Sequence, residues 1–436
     1  MGSTNEKTVN RWLIAIMGMV LQIVLGSIYA WSFFQNPLMK YAGDLNWTNS
    51  QVAMILSLAL CFLGLSAAVG GTQLPKFGPR KLAITGVILF SLGWVIGGFA
   101  LSLKSLPLLY LGMGVIGGIG LGLGYVTPVA TAVKWFPDKK GFITGMVVMG
   151  FGFGALFMSK IIGPTFQAMY TKADVIAWPS VFYAIAATLG IPGVIAAFTL
   201  KNPPAGFVPA GWTPPAAEAK ANAAPDLTLK GCVFSQRFWL IWVVFFCNIT
   251  AGLMFIGFQS PMLQNLLKQG DPGLTTAALG AAGATLIAIS SLFNGIGRFF
   301  WGGLSDKIGR ANTFRIILGS QILIFIALIF VQSPLLFGVL VCYILLCYGG
   351  GFGTAPSFVS TVFGNKIMAV VYGCLLTAWS MGGLVGPQIA AIIKDKFKDP
   401  TQAATNTYIV GAVFLIVGFL ISLLLTNKPF EQKKKA

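Results

Sequence analysis

The chain reads as an all-α membrane protein of twelve transmembrane helices in two pseudo-symmetric six-helix bundles, and three observations predict this. Of 436 residues, 56% are hydrophobic and only 9% charged, against about 25% charged in a soluble domain. The apolar residues gather in twelve runs long enough to cross about 30 Å of hydrocarbon, which takes roughly 20 residues. The second half of the chain repeats motifs of the first.

The runs span 12–36, 51–73, 82–102, 107–133, 141–163 and 177–200, then 237–262, 276–303, 313–331, 334–360, 368–393 and 405–426. Between the sixth and seventh lies 201–236, rich in Ala, Pro and Lys, with the composition of a polar linker. The organisation expected is a bundle over 1–200, a cytoplasmic linker over 201–236 and a second bundle over 237–436. The first run begins at Trp12 after polar residues and is too long for a cleavable signal core. Met1-Gly2 invites myristoylation, but Glu6 stands where Ser or Thr is required.

The net charge of +18 would point to nucleic acid in a soluble chain. Here the cations lie between the runs. With the N-terminus in the cytoplasm, twenty of the 29 Lys and Arg fall on the cytoplasmic side, which satisfies the positive-inside rule and places both termini there. The expected location is a plasma membrane, the expected state a monomer in lipid, and nucleic acid is excluded as a partner. There is no His. The cysteines, Cys61, Cys232, Cys247, Cys342, Cys347 and Cys374, form no CxxC pair, so no zinc site is expected. No cofactor is expected, and without His, metal spacing or acid pairs an enzyme is not.

The repeat has a steady offset. Gly71, Lys76 and Gly78 match Gly302, Lys307 and Gly309 at 231 residues, and Gly145 matches Gly373 at 228. Gly120–Pro128 matches Gly349–Pro356 at about 228. A duplicated six-span unit is the plan of many carriers, with substrate held near the midplane between the halves. Glycine runs at Gly117–Gly124, Gly150–Gly154 and Gly349–Gly353 allow close helix approach. They are not a dinucleotide loop, since no strand–turn–helix surrounds them. Gly163-Pro164 and Gly386-Pro387 mark plausible gates at the outer ends of the fifth and eleventh runs.

Arg298 is the one basic residue well inside a run, and by these limits no run holds an Asp or Glu. A buried charge costs several kcal/mol in lipid, about 2.5–3.5 on insertion scales. A substrate anion is the counter-ion the sequence leaves open, and a guanidinium suits a carboxylate by donating two parallel hydrogen bonds. Snorkelling is the structural alternative, because Asp306 at the run's end is only about 12 Å further on. Asn294 sits one turn before Arg298 on the same face. Lys160, near the outer end of the fifth run, reads as snorkelling.

These residues carry a resemblance. Gly302, Leu304, Asp306, Lys307, Gly309 and Arg310 resemble the cytoplasmic loop motif of the major facilitator superfamily. The first-half copy is degraded, with Pro75 where Asp is usual. Tyr29-Ala-Trp-Ser-Phe-Phe-x-Asn-Pro, Lys134-Trp-Phe-Pro-Asp-Lys-Lys-Gly and Phe293-Asn-Gly-x-Gly-Arg-Phe-Phe-Trp-Gly are similar to the oxalate/formate antiporter family, which is close to the monocarboxylate transporters. The likeness covers nearly the whole chain except 201–236.

The resemblance implies a major facilitator fold in a bacterial inner membrane. It implies a latch at Asp306, Lys307 and Arg310, and pocket positions at Tyr29, Tyr125, Phe151, Tyr348 and Phe352. Asn294 stands where monocarboxylate transporters commonly have an Asp implicated in proton coupling; the oxalate/formate relatives carry Asn here too. The family's oxalate carriers use a second cation, a lysine in span eleven, and Trp379 stands at that position here. One cation beside two carboxylates would leave a charge desolvated and unpaired. The function expected is therefore secondary active transport of a small monocarboxylate, of the lactate, pyruvate, acetate or formate kind, by alternating access and linked to protons. Oxalate:formate-type exchange is the alternative. An anion channel or transporter-like receptor is the alternative from another class.

Overall fold

The computed structural model describes residues 10–204 apart from 174, residues 207–209, 211 and 213, and residues 227–430 apart from 365 and 366. Among them, twelve helices are long and apolar enough to cross a membrane: α1 Arg11–Leu45, α2 Asn49–Phe77, α3 Pro79–Ser102, α4 Leu106–Trp135, α5 Phe142–Met169, α6 Trp178–Thr199, α7 Gln236–Gly270, α8 Thr276–Ile308, α9 Arg310–Leu328, α10 Pro334–Phe363, α11 Val370–Lys396 and α12 Pro400–Ser422. They form two six-helix bundles that meet along α2 with α11, α5 with α8, and α1 with α7.

Local chemistry sets the boundaries. Thr48 caps α2 in a capping box with Gln51. Gly78 ends α2 at φ +75°, a backbone state that only glycine adopts cheaply, and Pro79 opens α3. The second half repeats the stop, with Gly309 at φ +85° between α8 and α9. Pro334 and Pro400 start α10 and α12 behind the caps Ser333 and Asp399. A two-residue hairpin, Thr171–Lys172 against Val175–Ile176, joins α5 to α6.

The outer helices α3, α6 and α12 leave large apolar side chains uncovered, among them Ile88, Phe99, Ile191, Phe198, Val413 and Leu420. An apolar belt of this extent belongs against lipid. The inner helices bury theirs. Some buried polar side chains bond inside the bundle: Gln321 donates to Asn248 at 2.8 Å, and Ser290 to Gln259 at 2.6 Å.

Both ends of the described chain lie at one end of the bundle. Arg11 pairs with Asp138 at 2.7 Å beside the α4–α5 turn. Phe430 N–H donates to the Val362 carbonyl at the end of α10, and Arg237 donates to the Pro429 carbonyl. The stretch after α6 is partly tied down, since the Trp135 indole donates to the Lys201 carbonyl at 2.7 Å. Leu229–Val233 forms a short helix before α7.

One boundary differs from the sequence reading in a way that matters. The eleventh span does not stop at 393; α11 runs to Lys396 and brings Lys394 and Asp395 onto its last turn. Lysines there oppose the negative end of the helix dipole. No acidic residue lies within the apolar limits read from the sequence, but the helices overrun those limits and take in Asp44 at the end of α1, Asp306 at the end of α8 and Asp395 at the end of α11.

Candidate substrate site

Arg298 is 1% exposed and does not snorkel. It sits in the second half of α8, where α10 lies against it backbone to backbone. A Cβ on Gly353 would collide with the Arg298 carbonyl oxygen, and one on Gly349 with the Asn294 carbonyl oxygen. Two glycines four residues apart on α10 thus meet two carbonyls four residues apart on α8. That close approach fixes where the guanidinium starts. On the other side α5 is equally near: a Cβ on Gly152 would stand 2.6 Å from Gly295 Cα, and Ser291 Oγ donates to the Gly152 carbonyl.

The aromatic residues close around the guanidinium. Its central carbon lies 4.8 Å from the Phe352 ring centre and 5.8 Å from that of Phe151, within cation–π range. Trp379 packs at 4.6 Å on Phe352, 5.1 Å on Tyr125 and 5.6 Å on Phe151. Tyr29 lies 5.0 Å from Phe151 and 6.3 Å from Trp379. Its hydroxyl shares a hydrogen bond of 2.5 Å with that of Tyr348, joining α1 to α10 across the two halves. Six aromatic residues from α1, α4, α5, α10 and α11 make a closed box.

Backbone irregularities present these side chains. Tyr29 falls in a 3-10 turn, Ser27–Ala30, inside α1, the kind of tightened turn that often marks a hinge. Trp379 follows a break at Leu376 in α11, where its N–H reaches back only three residues. Tyr125 lies one turn before Pro128 in α4, and the buried Gln22 amide donates to its carbonyl at 2.9 Å.

The polar inventory of the box is unbalanced. Nε, Nη1 and Nη2 of Arg298 have no hydrogen-bond partner, and neither have the Tyr125 hydroxyl and the Trp379 indole N–H. Among the described residues the box contains no carboxylate. Asn294, 1% exposed, adds one unpartnered acceptor, Oδ1. A buried donor left unpaired costs about 1–3 kcal/mol. Five such donors in one place complement a ligand that is mostly acceptor, and a carboxylate offers about four lone-pair sites on two oxygens.

The sequence singled out Arg298, Tyr29, Tyr125, Phe151, Tyr348, Phe352 and Trp379, and the structure brings all seven together. Asn294 lies one turn away against Gly349. The loop residues lie far from the box. Asp306 pairs with Arg310 at the α8–α9 turn and Lys307 is exposed, so this contact lies within the second half. A charged contact between the halves lies elsewhere and was not legible in the sequence. At the end of the bundle away from the termini, Asp395 on α11 accepts from Asn49 N and Ser50 N, each at 2.9 Å, and from Asn49 Nδ2 and Ser50 Oγ at 3.0 and 2.5 Å. One carboxylate thereby caps α2 from the opposite half. Lys160 helps close the same end, donating to Thr285 Oγ1 on α8 at 2.5 Å.

Two pseudo-equivalent six-helix bundles around one buried, unpaired charge define a membrane carrier. Residues 11–387 match the Major Facilitator Superfamily, and the chain belongs to that superfamily; it is a multi-pass membrane transporter and not an enzyme. It is 26% identical to the oxalate:formate antiporter of Oxalobacter formigenes over 98% of this chain and 94% of that one. It is 27% identical to apicoplast pyruvate carrier 1 of Toxoplasma gondii over 80% and 69%, and 23% identical to human monocarboxylate transporter 11 over 84% and 74%. Its fold matches a bacterial homologue of the human lysosomal transporter Spinster with a TM-score of 0.68 at 15% identity, covering 95% of this chain and 96% of that one.

Proposed function

We propose that this transporter carries a small monocarboxylate by alternating access, with the carboxylate seated on Arg298. The observation that carries this is the buried guanidinium with all three nitrogens unpaired inside an aromatic box that has no anion of its own. The carboxylate takes two parallel bonds from Arg298 and further ones from the Tyr125 hydroxyl and the Trp379 N–H. The rings exclude water and cover the apolar end of the substrate. Ring centres 4.6–6.3 Å apart are in direct contact, so the rings must part to admit a substrate, which favours a small one. Trp379 gives a neutral donor where a second cation would favour a dicarboxylate.

The two halves rock about this site. Asp395 on Asn49 and Ser50 closes one end, and Asp306 with Arg310 shapes the other. The positive-inside count supports placing Asp395 at the outer face and both termini in the cytoplasm.

For coupling, the site favours exchange over the proton linkage expected from the sequence. Closing the box empty would bury a guanidinium without a counter-ion, which is costly, whereas closing it on a monoanion buries a neutral pair. The empty carrier then returns slowly and a returning anion speeds it. The similarity to the Oxalobacter formigenes antiporter favours the same reading. The test is uptake of labelled L-lactate and oxalate into proteoliposomes, with and without an inward proton gradient and with and without internal anion. Acceleration by internal lactate supports exchange. Acceleration by the gradient alone restores proton linkage. Uptake accelerated by neither internal anion nor the gradient identifies a channel, and oxalate preferred over lactate overturns the monocarboxylate assignment.

A further inference from the structure

A cavity of about 250 Å³ lies at the end of the bundle closed by Asp395, and none of its lining residues belongs to the Arg298 box. Asn36 and Asn49 line it from the first half. Asn265, Gln269, Lys394 and Lys398 line it from the second. The Lys394 ammonium stands 4.9 Å from the centre of the buried Phe258 ring. Among the described residues neither Lys394 nor Lys398 makes an ion pair. The carboxylates nearby are committed elsewhere: Asp395 accepts from Asn49 and Ser50, and Asp399, between the lining residues Lys398 and Pro400, accepts from Thr401 N and Gln402 N at the start of α12. The cavity therefore combines two lysines, four side-chain amides and no free acceptor charge. Its content complements a small oxyanion.

We propose that this cavity is a second, outer binding site that receives a small carboxylate before it enters the Arg298 box. Lys394 is the principal ligand, held by the Phe258 face so that its ammonium serves the cavity. Lys398 at the more exposed rim draws anions in. Asn265 and Gln269 donate amide hydrogens. The position gives the site a consequence for gating. Lys394 precedes Asp395 in sequence, and Asn49 both lines the cavity and donates to Asp395. An anion on Lys394 competes with Asp395 for the Asn49 amide and weakens the contact that holds the two halves closed. The carrier would thus meet its substrate first at the lock and then at the box. This rests on the reading of the chain as a carboxylate carrier, but its test does not require the central site to work.

The test is binding of ¹³C-acetate, observed by saturation transfer, to the full chain in phosphatidylcholine nanodiscs. Four forms are compared: wild type, Arg298→Ala, Lys394→Gln, and the two substitutions together. Acetate signal retained in Arg298→Ala and lost in the double variant supports a second site at Lys394. Equal signal in Arg298→Ala and the double variant overturns it, and so does loss of all signal in Arg298→Ala. Repeating the series in phosphatidylglycerol discs separates two sources of oxyanion. If anionic lipid abolishes the acetate signal of Arg298→Ala, the occupant is a lipid phosphate and the staging role is overturned. Transport gives an independent reading: Lys394→Gln should raise KM for uptake from the outer face about threefold at low salt, less at high salt, and leave KM from the other face unchanged. An equal rise on both faces would place the effect in the central site and overturn the proposal.

Discussion

Replacing Arg298 by alanine tests the central site most directly. In the closed box the guanidinium has three free nitrogens, two of which face a carboxylate when it docks in parallel. A hydrogen bond to a charged group contributes about 1.5–3 kcal/mol, so losing two costs about 3–6 kcal/mol. At about 1.4 kcal/mol per tenfold, KM for lactate should rise roughly 10²- to 10⁴-fold. Lysine keeps the charge but not the fork, and Arg298→Lys should lose about half of that free energy. The same variants carry an internal control on folding. Because the guanidinium is buried and unpaired, removing it should not lower the melting temperature of the substrate-free protein in detergent, and should raise it if the cavity collapses. The assay is initial uptake of labelled lactate in proteoliposomes beside a thermal melt of the same preparation. A KM within about threefold of wild type with a normal melt would refute the argument, because among the described residues no other cation lies in the box.

Other substitutions read other parts of the molecule. Trp379→Lys puts a second cation beside Arg298 and should raise oxalate over lactate uptake by about tenfold while slowing lactate transport; unchanged selectivity would remove Trp379 from the specificity argument. Asp395→Asn keeps size but weakens four bonds to α2, and amide exchange at residues 49–53 should quicken by about tenfold, discounted because the carboxylate is exposed. Gly353→Ala drives a methyl into the Arg298 carbonyl, and overpacking of this kind costs about 1–3 kcal/mol, seen as a lower melting temperature together with a raised KM. Tyr29→Phe and Tyr348→Phe each break the same hydroxyl pair, so their effects on stability, about 1 kcal/mol apiece, should fail to add in the double variant.

Hydropathy alone was enough for the membrane and the twelve spans, because lipid admits no unsatisfied backbone and so forces helices; the two halves came from the motif repeat. The sequence also marked Arg298, since a charge inside an apolar run is costly, though it left snorkelling open as the alternative. It nominated the six aromatic residues only through likeness to known carriers; their spacing along five separate helices carries no signal by itself. What the tertiary structure decided was which groups meet. It showed Arg298 buried instead of snorkelling, with its three nitrogens free. It turned Trp379 from a missing cation into a donor, and it extended α11 past its apolar limit to Lys396. It exposed the pairing of Asp395 with Asn49 and Ser50, 346 and 345 residues apart in sequence. Hydrophobic periodicity reports which solvent a helix faces, and that information is local. A gate or a binding box is made by side chains from helices whose order in space the pattern does not contain, so only the packed bundle could reveal them.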